Sequence, residues 1–262
     1  MPPERLQKLL ARSGYGSRRQ CEIMISSGRV HVNGRLSQLG EKADDKLDCI
    51  TVDREPIKQA EQLTYIVLNK PRAMLSTFTK QGPRSSLRDL IAPKERLYPV
   101  GRLDADSEGL ILLTNDGKLT ERLTHPRYGH EKEYHVLVAG YPNKSQLADW
   151  RRGVVLEDGV KTAPANVNFI RKGASGTWLR VIMREGRKRQ IRRTAEVLML
   201  RVKRLQRVRL STIRLGKLAP GKWRQLSEVE IARLRSQAFL PQNKRVKRRS
   251  LHTSTSDTGR GN

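Results

Sequence analysis

Residues Gly101–Gly117 read GRLDADSEGLILLTNDG. An apolar run from Leu97 to Val100 feeds the polar turn Gly101-Arg102-Leu103-Asp104. A second run, Leu110 to Leu113, follows Glu108-Gly109 and closes at Asn115-Asp116-Gly117. Two short strands of buried type around a glycine-hinged polar loop, with a hairpin-like Asx-Gly stop, present side chains at a sheet edge. That loop concentrates three carboxylates, Asp104, Asp106 and Glu108, in a chain of net charge +27. An acidic knot in so basic a chain calls for a reason.

Composition sets the limits. The 262 residues suffice for a large domain with a small one beside it. With 53 Lys and Arg against 26 Asp and Glu, the expected partner is a polyanion, because many cations acting together neutralise phosphates. Aromatics make up 5%, which is too few for base stacking to be the main mode of contact. No apolar run approaches a membrane span, and the N-terminus carries no signal-type apolar core, so a cytoplasmic chain with no membrane partner is expected. Cys21 and Cys49 sit in apolar-patterned contexts without metal-ligand spacing, and read as buried, reduced thiols.

The N-terminal sixty residues read as a compact unit. Leu6, Leu9 and Leu10 share one helix face, with Arg5, Lys8 and Arg12 on another. Ser17-Arg18-Arg19-Gln20 has the form of a capping box opening a second helix, which ends near Gly28. Val30 and Val32 alternate into Asn33-Gly34, a hairpin signal, and Ile50-Thr51-Val52 supplies a further strand. With Arg18, Arg19, Arg29 and Arg35 on its turns, this unit reads as an RNA-binding module. The run RLQKLLARSGYGSRRQCEIMISSGRVHVNG resembles an S4 domain over residues 4–55. That resemblance implies docking on structured RNA by shape and phosphate contacts.

A polar linker is expected at Pro56–Gln62. Beyond it, strands are predicted at Ile66–Lys70, Leu75–Thr79, Lys132–Val138, Asn166–Arg171 and Trp178–Met183, with strand-rich chain over Val202–Leu218. Helices are predicted at Lys118–Thr124, Lys144–Arg152, from the Arg187–Arg193 run to Leu200, and from the Ser227–Glu230 capping box to about Ser236. Beyond Phe239 no apolar periodicity remains, and a disordered basic tail is expected over 239–262, including the run KRVKRR from Lys244 to Arg249.

From the residues alone, three readings of the acidic loop stay open. Alternating carboxylates suit a divalent cation in a nuclease or polymerase. One carboxylate, kept ionised by cations such as Arg187–Arg193, suits attack at an anomeric carbon. The third reading is plain charge balance or helix capping.

The motif decides among them by likeness. GRLDADSEGLILLTNDG, EKEYHVLV at 131–138, REGRKRQIRR at 184–193, and the later VKRLQRVRL and GKWRQL together resemble the pseudouridine synthases of the RsuA/RluB/RluE/RluF family, over residues 4 to about 235. The resemblance implies an α+β protein: a small S4 domain (1–58), then a synthase domain (64–238) on a mixed, largely antiparallel sheet flanked by helices. It implies isomerisation of a uridine in ribosomal RNA, without cofactor or metal, by a monomer. The N-terminal module and the LEDG segment at 156–159 are most like large-subunit members, implying 23S rRNA, with action on 16S rRNA as an alternative. By the same likeness Asp104 is the nucleophile, Tyr134 packs against the flipped uracil, and Arg192 ion-pairs with the aspartate. Arg102, Arg187 and Arg189 would then hold RNA around the site, with Arg5, Lys8, Arg18, Arg19 and Arg29 contacting it from the S4 domain. Asp106 and Glu108 are read as loop or helix-end hydrogen-bonders. The departures are Ser107 in place of Thr, and Leu198–Arg201 in place of a Gly-His-Pro-type turn. The alternative function is a non-catalytic RNA-binding or ribosome-assembly protein on the same fold.

Overall fold

A computed structural model describes residues 3–79, 81–93 and 95–240. The expected basic tail lies outside these residues beyond Leu240. The chain divides into two compact units, one comprising residues up to Thr64 together with Pro93–Tyr98, the other Tyr65–Ala92 and the chain from Pro99 onward.

In the first unit, β1 (Glu4–Arg5) leads into α1 (Leu6–Arg12), and α2 (Arg18–Ser26) follows after a glycine-rich turn. The Ser17 capping box forms as predicted: the Ser17 hydroxyl accepts from the Gln20 amide at 3.1 Å, and the Gln20 side chain accepts from the Ser17 amide at 2.8 Å. Strands β2 (Val30–Val32) and β3 (Arg35–Leu36) make the Asn33-Gly34 hairpin. Both turn residues have positive φ, as a two-residue hairpin turn requires. β4 (Lys42–Ala43) pairs with β1, while β5 (Ile50–Val52) and β6 (Glu55–Pro56) complete a four-stranded sheet in the order β3-β2-β5-β6. Leu6, Leu9 and Leu10 pack with Cys21, Ile25 and the valines of β2 into one buried cluster. Cys21 is buried as expected, but Cys49 is exposed, because it lies in the turn before β5 where Asn33 caps its amide. The Pro56–Gln62 stretch is tied to this unit at its far end: the Glu61 amide bonds the Arg12 carbonyl at 3.1 Å, and the Glu61 carboxylate accepts from the Arg96 amide at 3.3 Å.

The second unit is built on a nine-stranded sheet. Its strands are β7 (Tyr65–Lys70), β8 (Tyr98–Pro99), β9 (Glu108–Thr114), β10 (Lys132–Val138), β11 (Asn166–Gly173), β12 (Gly176–Met183), β13 (Val202–Leu210), β14 (Ile213–Arg214) and β15 (Trp223–Gln225). The main path runs β11-β12-β10-β13-β9-β7-β15, antiparallel at every step except β13 against β9, which is parallel. The helices are α3 (Gly117–Thr124), α4 (Lys144–Arg152), α5 (Gln190–Val197) and α6 (Glu228–Phe239). One apolar cluster joins Val67, Leu110, Leu112 and Leu210 of the sheet to Leu119 and Leu123 of α3 and Leu234 of α6. A second joins Tyr134, Val136, Leu179 and Val181 to Trp150 of α4, Ile191 and Ala195 of α5, and Leu103 of the loop before β9. The architecture is α+β with a mixed, largely antiparallel sheet.

Four elements differ from expectation, each for a local reason. Asn115-Asp116-Gly117 is no hairpin stop: Asp116 accepts from the Leu119 amide at 2.9 Å and so caps α3. Leu75–Thr79 forms no strand beyond one bridge from Leu75 to Ser86, its backbone partners being the Ser85 carbonyl, at 2.8 Å from the Leu75 amide, and the Leu87 amide, at 3.0 Å from the Thr77 carbonyl, of one loop. The helix after Arg187 begins only at Gln190, since Arg189 has φ 51°, and it stops at Val197, with Met199 at φ 57°. The last helix runs three residues past Ser236, to Phe239.

Candidate active site

The loop of residues 101–107 is held from beneath. Ser76 Oγ donates to the Leu103 carbonyl at 2.7 Å and accepts from the Leu103 amide at 3.1 Å, so one hydroxyl satisfies both backbone groups of that residue. The Ala73 amide donates to the Ala105 carbonyl at 2.7 Å, and the Ser107 amide to the Asp104 carbonyl at 3.0 Å. Lys70 is fully buried at the end of β7. Its ammonium donates to the carbonyls of Met74 at 2.7 Å and Pro71 at 2.8 Å, and reaches Ala105 at 3.5 Å. Burial pushes Lys70 down to about 8, although Asp106, Asp104 and Glu108 pull it the other way. Beyond the loop, Gly109 sits where β9 meets β13; a Cβ there would lie 2.3 Å from the Arg207 carbonyl oxygen, at φ +104°. Only glycine fits that approach.

With the backbone clamped, Asp104 remains accessible, its side chain 35% exposed. The expected partnership of Arg192 with Asp104 is not what the geometry contains. Arg192 Nε lies 3.2 Å from Asp106 Oδ2, off the line of a hydrogen bond, and Arg192 Nη2 donates to the Asp106 carbonyl at 3.1 Å. A further Arg192 bond reaches the Val202 carbonyl at 3.5 Å, fixing the guanidinium between loop and sheet. Burial lowers Arg192 from its usual value, with Asp106 opposing the shift. The cation nearest Asp104 is Arg189, whose Nη1 lies 3.9 Å from Asp104 Oδ2 and 3.2 Å from Asp106 Oδ1. The reason is positional: Asp106 lies two residues further round the turn and meets α5 first. Asp106, read from the sequence as a loop hydrogen-bonder, is thus the main acidic partner of both arginines.

Tyr134 is 8% exposed and belongs to the same apolar cluster as Leu103 and Ile191, the neighbours in sequence of Asp104 and Arg192. The structure therefore gathers Asp104, Arg189 and Arg192 around one loop, with Tyr134 in the same apolar cluster as Leu103. Arg102 and Arg187 are exposed beside it. In the first unit Arg5, Arg18, Arg19 and Arg29 are exposed; Lys8 pairs with Glu4 at 3.1 Å and Arg29 with Asp53. The three alternating carboxylates do not converge: Glu108 turns into the sheet and pairs with Arg204. Among the described residues no group of three or more His, Cys, Asp or Glu is arranged to hold a metal ion. Lys70 and Ser76 were missed in the sequence; the one available signal was a lysine closing an apolar strand just before Pro71.

Accessible acids under paired arginines, in a chain of net charge +27 that begins with a small basic module, fit a protein that acts on a polyanion. Residues 64–196 match the RNA pseudouridylate synthase family and residues 4–43 the S4 domain. A protein of Aquifex aeolicus described as an uncharacterized RNA pseudouridine synthase is 41% identical over 233 residues, covering 88% of this chain and 93% of its own length. The ribosomal large subunit pseudouridine synthase B of Bacillus subtilis is 38% identical over 239 residues, covering 90% of this chain and 97% of its own. A solved structure titled as a pseudouridylate synthase superposes with a TM-score of 0.63 at 27% identity, over 88% of this chain and 99% of that one. The chain belongs to the RNA pseudouridine synthase family, and is an isomerase with an N-terminal S4 RNA-binding domain.

Proposed function

We propose that this enzyme converts one uridine of large-subunit (23S) ribosomal RNA to pseudouridine, with Asp104 as nucleophile. The observation that carries this reading is the accessible Asp104 carboxylate on a backbone-clamped loop, with the Arg189 guanidinium 3.9 Å away. The target uridine must leave its stack to reach the acid, at a cost of a few kcal/mol, least in a loop or bulge. Tyr134 supplies the ring against which the flipped uracil packs. The N1–C1′ bond breaks, the uracil turns while trapped, C5 joins C1′, the C5 proton leaves to solvent, and N1 takes up a proton from solvent, so no atoms are gained or lost overall. Arg102 and Arg187, with Arg5, Lys8, Arg18, Arg19 and Arg29 of the S4 domain, take phosphates. The large-subunit target follows the Bacillus subtilis relative's name and near-complete coverage. The 239–262 segment adds sequence-independent affinity, so its removal flattens the salt dependence of RNA binding.

The test is tritium release from [5-³H]uridine-labelled ribosomal RNA. The intact protein releases label from 23S RNA and Asp104→Asn releases none while still binding. Silence of the parent on both subunit RNAs, with binding retained, would replace this reading with a non-catalytic RNA-binding one.

A further inference from the structure

We propose that the sheet face turned away from Asp104, with the cleft beside its edge strand β11, binds a second, single-stranded segment of the RNA substrate. This rests on RNA as the partner and not on Asp104 as the nucleophile. Along β10 and β12 the side chains of Tyr134, Val136, Leu179 and Val181 pack with α4, α5 and Leu103. Strand alternation therefore brings His135, Leu137, Trp178 and Arg180 out on the other side. Each of the first four is buried and none of the second four is. A uridine at Asp104 lies on the α5 side of the sheet, so this opposite face takes another part of the same large RNA.

The strand register sets the chemistry of this face in rows. Leu137 is opposite Trp178 on one side and Arg204 of β13 on the other, and Trp178 is opposite Arg171 of β11. The Trp178 ring accordingly has two guanidiniums about it, Arg171 at 5.8 Å and Arg204 at 6.0 Å from its centroid. Further along, Arg180 is opposite Asn168 and Ile182 opposite Asn166. Asn168 Nδ2 donates to Asn166 Oδ1 at 2.5 Å. That bond leaves the Asn168 oxygen and the Asn166 nitrogen, an acceptor beside a donor, without protein partners among the described residues. An acceptor beside a donor is the complement of a base edge. Both amides line a cleft of about 420 Å³, together with Ile182, Arg151 and Arg184. A volume of that order is usual for a small-ligand site. Glu108 and Glu133 balance Arg204 and Arg180, but Arg171 and Arg151 make no ion pair among the described residues. Unbalanced cations at the Trp178 row and at the cleft suit a phosphate backbone. An indole, guanidinium planes and paired amides engage base faces and edges, which unpaired nucleotides expose and a duplex hides.

The probe is a short unstructured oligouridylate, bound to the full chain and crosslinked by ultraviolet light, with the attachment points read by mass spectrometry. Crosslinks should fall within residues 166–182. Arg171→Glu/Asn168→Ala changes only exposed side chains. It should weaken oligouridylate binding about tenfold or more, while an RNA duplex of similar length binds as before. Trp178→Leu should weaken the oligouridylate as well, and Asp104→Asn should not. In the tritium assay on intact 23S RNA the double variant should raise KM and leave kcat within about twofold, the mark of lost binding and intact chemistry. Crosslinks wholly outside 166–182 would overturn the proposal. So would a double variant that binds oligouridylate as tightly as the parent, or that loses affinity for the duplex to the same degree. If the parent releases no tritium, the assignment of function fails, and the crosslinking and binding arms still decide whether this face holds RNA.

Discussion

The Lys70 ammonium donates to the Met74 carbonyl at 2.7 Å from a fully buried position beneath the loop that carries Asp104. A lysine so placed is charged at a cost, and burial depresses it to about 8 from 10.5. Between those values the unfolded chain binds more protons than the folded one, so stability rises with pH through that window. A shift of this size corresponds to something on the order of 3 kcal/mol. Lys132 is depressed to a similar value by its own burial, so the comparison must be between variants. Urea midpoints of the parent and Lys70→Met, measured from pH 7.5 to 10 (about the span of the shift), should converge or cross in favour of the parent as pH rises. Parallel curves would show that Lys70 is not the group responsible.

Gly109 predicts a steric effect independent of charge. Alanine there would place its Cβ against the Arg207 backbone at a φ of +104°. The parallel pairing of β13 on β9 would have to open, and a loss of about 2–3 kcal/mol is expected. Thermal unfolding of Gly109→Ala gives the value. Tritium release should fall with it, because Asp104 lies five residues upstream on the same loop.

Glu133 is 4% exposed and is held by Arg180 and Arg209. Burial alone would raise it, but the hydrogen bonds from the two arginines hold it down at about 2. A carboxylate lowered in the folded state stabilises fully above its unfolded value, near 4.5, and loses that contribution as pH falls toward 2. Glu133→Gln should cost about 2–3 kcal/mol near neutrality, less than a fully buried pair because Arg180 is 42% exposed. It should also flatten the acid limb of the stability curve, which chemical denaturation at several pH values would record.

Asp116 links three elements: it caps α3 and accepts from the Tyr65 hydroxyl at 2.9 Å and from Arg235 Nη1 at 2.5 Å. Burial first, and then the Asp116 carboxylate, push Tyr65 up to about 12. In Asp116→Ala the Tyr65 titration, followed as phenolate absorbance, should move back toward 10, and stability should drop by about 2–3 kcal/mol for the cap and for the lost acceptor of the Tyr65 hydroxyl, which keeps only its bond from Arg235 at 2.9 Å. An unmoved titration would mean that burial alone sets it.

What the chain determined by itself lies within a few residues of itself. The capping boxes at Ser17 and Ser227, the Asn33-Gly34 hairpin, the Asp104 turn and the α5 cations are readable because each depends on neighbours two to four positions away. Even there, Asn115-Asp116-Gly117 misled, since an Asx-Gly signal serves a helix cap as well as a hairpin. The tertiary structure alone decided which charges meet. Lys70 reaches Ala105 across 35 residues, and Arg189 and Arg192 reach Asp106 across more than 80. Sequence likeness put Arg192 beside Asp104; the fold gave it Asp106 and left Arg189 nearest Asp104. Coulomb energy and hydrogen bonding change over a single ångström, and that ångström is set by how β7, β9 and α5 pack, which no local pattern encodes.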